Sequence, residues 1–452
     1  MRVEELENLM RGPGVFVRPV RSLALGLIVL TALAGCGWFD SDEDTLEGER
    51  IRLRGDPAVT VAAGAAAVPL PPAQTNAEWT QTNGAASHNM GHLAGPGSLS
   101  RAWTADAGEG SSDNSVITSA PIVVGGNIYT LDAAAKVTSF SAGSGARNWR
   151  ISLAPEGEKG REGFGGGLAA EGGTIYAATG FGEVLAISAA SGEILWRRSF
   201  GAPFRAAPAV AQGLVVAVTR DNRALGLDAA TGAVRWRMQA ASSDAGLLGG
   251  ASPAIAGRLV ALPYASGELV GVDGGSGRRL WSAVLSGGRR GLARSAITDI
   301  SGDPVMVGPY VVAANQSGRM VAIDTRNGQR VWTRGLGSAA PIWAAGDTIF
   351  LVSDDAKLMR LSVRDGRTLW FSQLPAYEKP KKFKHPISYS GPVLVGGRLL
   401  LTDSVGNLLS FDAVSGAAQT GARIDGGSMT GPVVAGGVVY VLSDNGKLHA
   451  FR

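Results

Sequence analysis

The chain has 452 residues, 45% of them hydrophobic, and a formal net charge of +4. That is ample for a large core, whereas a weak charge that alternates in sign and forms no basic stripe excludes a surface built to grip nucleic acid. Glycine is the outlier at 65 residues, well above its ordinary share of roughly 7%; dispersed at regular positions, it indicates many tight turns and neither collagen nor disorder.

At the N-terminus, Arg18 and Arg21 precede an apolar run, Ser22 to Leu33, that ends in Leu33-Ala34-Gly35-Cys36. The run has the length of a signal-peptide core, and small residues before a cysteine suit a signal peptidase and lipidation of the new N-terminal thiol. Cys36 is the chain's lone cysteine, so no intramolecular disulfide forms. Residue 37 is glycine and not aspartate. By resemblance to Gram-negative lipoproteins, this implies a destination at the outer membrane, facing the periplasm. No other segment reaches the ~18 apolar residues needed to span a bilayer. Residues 1–35 are therefore read as signal peptide. Residues 36–77, acidic and then rich in Ala, Pro and Val, are read as the lipidated cysteine and its tether.

From residue 100 onward the chain repeats itself. Each unit reads Pro-x-Val-x-x-Gly, a strand, a turn, an alternating strand ending near Asp, then Ser/Thr-Gly-x-x-x-Trp. Trp149, Trp196, Trp236, Trp281, Trp332 and Trp370 end six units at spacings of 38 to 51 residues. A seventh runs from Pro392 and carries Thr420 in place of the tryptophan; an eighth starts at Pro432 and stops at Arg452 after its third strand. In the first unit, strands are expected at 121–124, 127–131, 136–140 and 146–149 from alternation and turn residues, and Asp444-Asn445-Gly446 marks a hairpin in the last. Four strands per repeat of this length predict an all-β, eight-bladed propeller over residues 78–452. Leu99 to Trp103, which also ends in tryptophan, is expected to supply the eighth blade's missing outer strand. Such closure removes the open edges of a linear array. The blade tryptophans are read as packing between neighbouring blades.

The repeat, best seen in Ile175-Tyr176, Gly182, Leu185-Ala186 and Ser191 to Trp196, resembles the PQQ-type propeller repeat. Within that superfamily the lipobox, Gly48-Glu49-Arg50-Ile51 and all eight blades resemble the BamB family of outer-membrane assembly lipoproteins. The quinoprotein dehydrogenases resemble it in the repeat alone, and their adjacent cysteine pair has no counterpart here. The resemblance implies a non-catalytic scaffold with no cofactor. Its partners would be the periplasmic domains of the barrel-insertion protein and unfolded outer-membrane precursors. It also implies a partner surface on two mid-ring loops. The first matches Leu247-Leu248-Gly249, with Leu248 where the family has arginine. The second matches Asp299-Ile300-Ser301, with Ser301 where a second acid is expected. Leu247, Leu248, Asp299 and Ile300 are therefore expected together on one exposed rim. A quinone-dependent dehydrogenase and a propeller binding another envelope component are the rival readings.

The remaining constellations are weaker. His88 and His92 are four apart, but no Glu follows the first as in a metalloprotease helix and glycine, asparagine and serine surround them, so they are read as a structural loop and not a metal site. His385 and His449 stand alone and are read as packed or solvated. Glu378 to Pro386 contains the one basic run, Lys-Pro-Lys-Lys-Phe-Lys. It is a solvated loop by default, with lipid headgroups or an acidic protein face as functional partners.

Overall fold

In the computed structural model the described residues are 60–61, 68–243, 249–285, 287 and 297–452. Cys36, Leu247 and Leu248 lie outside them.

Eight four-stranded antiparallel sheets follow one another along the chain. In blade one the strands are Ile122–Val124, Asn127–Leu131, Lys136–Ser141 and Arg147–Ser152, each within a few residues of its sequence expectation. Blades two to seven repeat this order, their inner strands being Gly166–Glu171, Ala209–Ala211, Ala254–Ala256, Ile300–Val307, Trp343–Ala345 and Tyr389–Val395. Blade eight draws three strands from the C-terminus and its outer strand, Arg101–Asp106, from the N-terminal side of the repeats. This strand pairs antiparallel with Lys447–Phe451, Thr104 opposite His449 and Asp106 opposite Lys447.

The middle strands of each blade are buried almost throughout because both of their faces pack on neighbouring blades. This explains near-continuous runs such as Leu214–Val218, where half-exposed strands would alternate. The outer strands keep mainly the tryptophan covered. Each repeat tryptophan donates its indole N–H across the blade boundary. Trp196 reaches the Ala229 carbonyl (3.0 Å), Trp236 that of Gly274 (2.7 Å) and Trp332 that of Val363 (2.7 Å).

A repeat glycine makes room for each ring. Gly145 of blade one has φ +73°, and a Cβ there would lie 2.6 Å from the Trp103 ring. This is a left-handed position where only glycine is unstrained. Trp103 belongs to the closing strand, so the junction between blades eight and one repeats the packing of the other boundaries. The Tyr440 hydroxyl also donates to the Ala142 carbonyl across that junction (3.2 Å). The apolar cluster there joins Phe140 and Ile128 of blade one to Val439, Val441 and Phe451 of blade eight.

Candidate functional site: the axial plug and its polar cavity

Residues 74–95 belong to no blade, yet they bond to the inner strand of every one. The Asn76 amide donates to the Val434 carbonyl of blade eight (2.6 Å). Trp79 exchanges two main-chain bonds of 2.8 Å with Val123 of blade one, and the Thr80 carbonyl accepts from Ala170 N–H of blade two. The Gln81 side chain stands in for a strand, donating to Val210 C=O (2.6 Å) and accepting from Val210 N–H (2.9 Å) in blade three. Ala86 and Ser87 carbonyls accept from Ile255 of blade four and Met306 of blade five. Trp343 of blade six donates its indole N–H to Gly91 C=O (2.8 Å), and Leu93 pairs with Leu394 and Gly396 of blade seven. The segment thus visits the blades in ring order and satisfies inner-edge groups that would otherwise be buried unpaired. Trp79 stacks on Trp343 at 5.8 Å and 16°; both rings are almost fully buried.

His88 and His92 serve this plug. His88 Nδ1 lies 2.8 Å from the Pro304 carbonyl. His92 Nδ1 is 2.7 Å from Pro71 C=O, and its Nε2 accepts from Gly397 N–H at 2.9 Å. Burial holds the His88 pKa below its ordinary value, against the raising effects of the Asp303 charge and the Pro304 hydrogen bond. Burial pushes the Asp303 carboxyl up, opposed by His88, the Ser252 N–H and Arg205.

Beneath the plug lies a cavity of about 140 Å³, bordered by Gln81, Thr82 and Asn83 of the plug and by residues of all eight blades, among them Ser252, Ser301 and Asp303. Its polar lining suits water. Ser301 donates to Ser338 C=O at 3.1 Å. Among the described residues no group of three or more His, Cys, Asp or Glu side chains is arranged to hold a metal ion.

The expected rim is only partly visible. Asp299 and Ile300, expected to be exposed, are both fully buried. Asp299 forms an ion pair with Arg205, itself buried at the entry to blade three, and Arg205 also donates to the Ile300 carbonyl (3.3 Å). The Ile300 side chain packs in the core between blades four and five. The reason is topological: the strand of blade five begins at Ile300, so these residues start the sheet where a loop tip was expected. Gly250, just after the Leu247-Leu248 stretch, lies against the same Arg205: a Cβ there would fall 2.0 Å from Nε. Arg205 therefore joins the described ends of both candidate loops.

Sequence reasoning missed Trp79, Gln81, Arg205 and Asp303. A signal was present for the first: apart from Trp38, Trp79 and Trp343 are the tryptophans that stand off the repeat position, and they stack on each other. The basic run 378–386, expected to be a solvated loop, is exposed and forms a short hairpin, Tyr377–Lys379 with Lys384–Pro386.

Comparison with known proteins agrees with this geometry. BamB of Salmonella typhimurium is 31% identical over 155 residues, covering 34% of this chain and 37% of that protein. BamB of Escherichia coli K12 is 30% identical over the same shares. The chain thus matches little more than a third of the length of these relatives. Among solved structures, BamB from Moraxella catarrhalis superposes with a TM-score of 0.66 at 18% identity, over 78% of this chain and 100% of that one. A europium-containing methanol dehydrogenase gives 0.66 at 13%, over 83% and 98%. At such identities both likenesses report the propeller fold alone. The family profile described as outer membrane protein assembly factor BamB matches residues 133–372, more than half of the sequence, and the chain belongs to that family.

Proposed function

We propose that the chain is a non-catalytic scaffold in outer-membrane protein assembly. In this reading a lipid on Cys36 holds it at the periplasmic face of the outer membrane. The loop carrying Leu247 and Leu248 engages the periplasmic domains of the barrel-insertion protein, with outer-membrane precursors as further partners. The family match over residues 133–372 carries the reading. The geometry supports it: the inner edges of all eight blades are bonded to the chain's own plug, and the connections within blades are tight turns, which makes a stiff body with its variable chemistry on the loops. Asp299 and Ile300 contribute from beneath, where Arg205 pins the entries to blades four and five. In this reading the two leucines supply an apolar anchor of the kind that carries small interfaces.

The test is capture from solubilised membranes. The chain should retain the barrel-insertion protein, and changing Leu247 and Leu248 together to Ala should weaken retention on the order of 10-fold, with an unchanged melting curve. Full retention by the folded double variant moves the interface elsewhere. Retention of a different envelope component, or alcohol oxidation on adding quinone cofactor and calcium, would replace the scaffold reading.

A further inference from the structure

We infer that the hairpin Tyr377–Pro386 is a docking element for anionic phospholipid, and that the propeller presents blade six to the membrane. The inference rests on the lipid-anchored reading above for its setting, but not for its test.

The charge distribution comes first. Outside residues 1–35 the chain has a net charge of +3. Lys379, Lys381, Lys382 and Lys384 against Glu378 make the hairpin alone +3, so the rest of that chain is neutral overall. The residue type is as uneven as the charge. The chain holds eight lysines among its 42 basic residues, and four of the eight fall within these six positions. Elsewhere arginine predominates, pairing with carboxylates as at Asp228, Asp324 and Asp365, and two of the other four lysines, Lys357 and Lys447, pair with Asp355 and Asp106. Lysine carries a compact charge on a flexible apolar stem, which suits attraction to a fluid anionic surface more than a fixed bidentate contact.

The shape follows the same lines. Residues 378–386 are exposed without interruption, yet the hairpin's base is fixed. Ile387 N–H donates to Ala376 C=O at 3.0 Å, and the Tyr389 hydroxyl to Pro375 C=O at 2.6 Å. Phe383 sits in the turn at φ +52°, 48% exposed, its ring edge-on to Tyr377 at 5.5 Å. An aromatic held out among lysines at the end of a braced hairpin matches the composition of an interfacial anchor.

The third observation is where the N-terminal chain arrives. Val61 pairs in parallel with Thr368, the first residue of blade six's outer strand Thr368–Gln373, and Val68 C=O accepts from Arg360 of the same blade (2.9 Å). Leu369, next to Thr368, is covered, whereas its repeat equivalents Leu195, Leu280 and Val331 are exposed. The segment leading back toward Cys36 and the basic hairpin thus belong to the two ends of a single six-residue strand, about 20 Å apart. An acyl anchor makes the second contact intramolecular, so that even a weak hairpin–lipid affinity is populated.

The test uses the chain carrying Cys36→Ser, which takes the acyl anchor out of the measurement. Co-sedimentation is compared on vesicles of phosphatidylcholine alone and vesicles with phosphatidylglycerol added. Binding is expected on the second only, reversed by high salt. Changing Lys379, Lys381, Lys382 and Lys384 together to Gln should lower the partition coefficient on the order of 100-fold. Phe383→Ser should lower it several-fold. All these positions are exposed, so circular dichroism and the melting curve should stay as in the parent. Equal partition onto both vesicles, no partition at all, or an unchanged coefficient for the folded quadruple variant overturns the inference. Loss of a co-purifying protein from that variant, with no vesicle binding by the parent, would assign the hairpin to an acidic protein face instead. None of these readouts depends on the barrel-insertion protein, so failure here and failure of the scaffold reading are separate results.

Discussion

Two neighbouring stretches close this propeller in different ways. The strand Arg101–Asp106 closes it at the rim: it pairs with one strand of blade eight and packs Trp103 on blade one. The plug, residues 74–95, closes it at the axis and bonds to all eight inner strands. The rim strand copies what seven other outer strands do, so a repeat-based reading finds it. The plug is a single-copy solution to a problem that repetition creates, eight inner edges converging on one axis with main-chain groups left over. Rim closure sets which ends of the chain meet; axial closure ties every blade to every other.

Removing each stretch separately tests that distinction. Deleting residues 71–98 takes away hydrogen bonds to every blade, each with a net worth of about 1 kcal/mol, together with the stacked, buried Trp79 ring, worth about 3 kcal/mol or more. The melting midpoint should fall by at least on the order of 10 °C, and hydrogen exchange should quicken in the inner strands of all eight blades. Deleting 99–103 should also destabilise the whole ring, by less, with faster exchange concentrated in blades eight and one. Exchange that stays local after loss of the plug would mean that the axis does not tie the blades together.

A sharper probe is Arg205→Ala. It removes a buried guanidinium from Asp299 and from the Ile300 carbonyl, across the axis-facing ends of blades three to five. Breaking one partner of a buried pair costs about 3–5 kcal/mol. It should also loosen the entries to both candidate loops and weaken capture of the insertion protein. A variant that melts lower yet captures normally would show that the pair serves the ring and not the loops.

The contrast between rim and axis also marks what was legible in the sequence. Blade order, the closing strand and the roles of the tryptophans follow from period-two alternation, turn chemistry and a recurring Ser/Thr-Gly-x-x-x-Trp, because each of these signals occurs many times over. The plug has no such repetition: in the sequence it divides between the end of the expected tether at residue 77 and the loop of His88 and His92. Its bonds run largely through its own backbone, to residues as far away as Gly436, and nothing in a Gly, Asn and Ser-rich stretch records such partners. Asp299 shows the same limit. The family resemblance puts it on a partner-binding loop, and so on an exposed rim. The ring supplies Arg205, 94 residues upstream. Only closure brings those loops together.

The smallest expected effect is a pH dependence at the rim. His449 lies beneath the closing strand, fully buried. Its Nδ1 is 3.0 Å from Thr104 Oγ1 of that strand, and its Nε2 is 3.2 Å from Ser443 Oγ. Burial first, then the positive charge of Arg101, hold its pKa down to about 4, against the charge and backbone hydrogen bond of Asp425. An unfolded histidine titrates near 6.5. Between those values the unfolded chain binds the proton and the folded one does not, so stability rises with pH across the window. The contribution is complete above about pH 6.5 and is lost as pH falls toward 4, an upper bound of about 3 kcal/mol. His88 is depressed in the same direction at the axis, so the whole protein's acid sensitivity has a rim part and an axial part. His449→Gln keeps a polar side chain able to reach Thr104 and removes the titration. Its melting midpoint should drop less than the parent's between pH 7 and pH 5, and exchange at pH 5 should be slower than the parent's in Arg101–Asp106 and Lys447–Phe451 alone. Parallel pH profiles for the two proteins would assign the acid sensitivity to the axis.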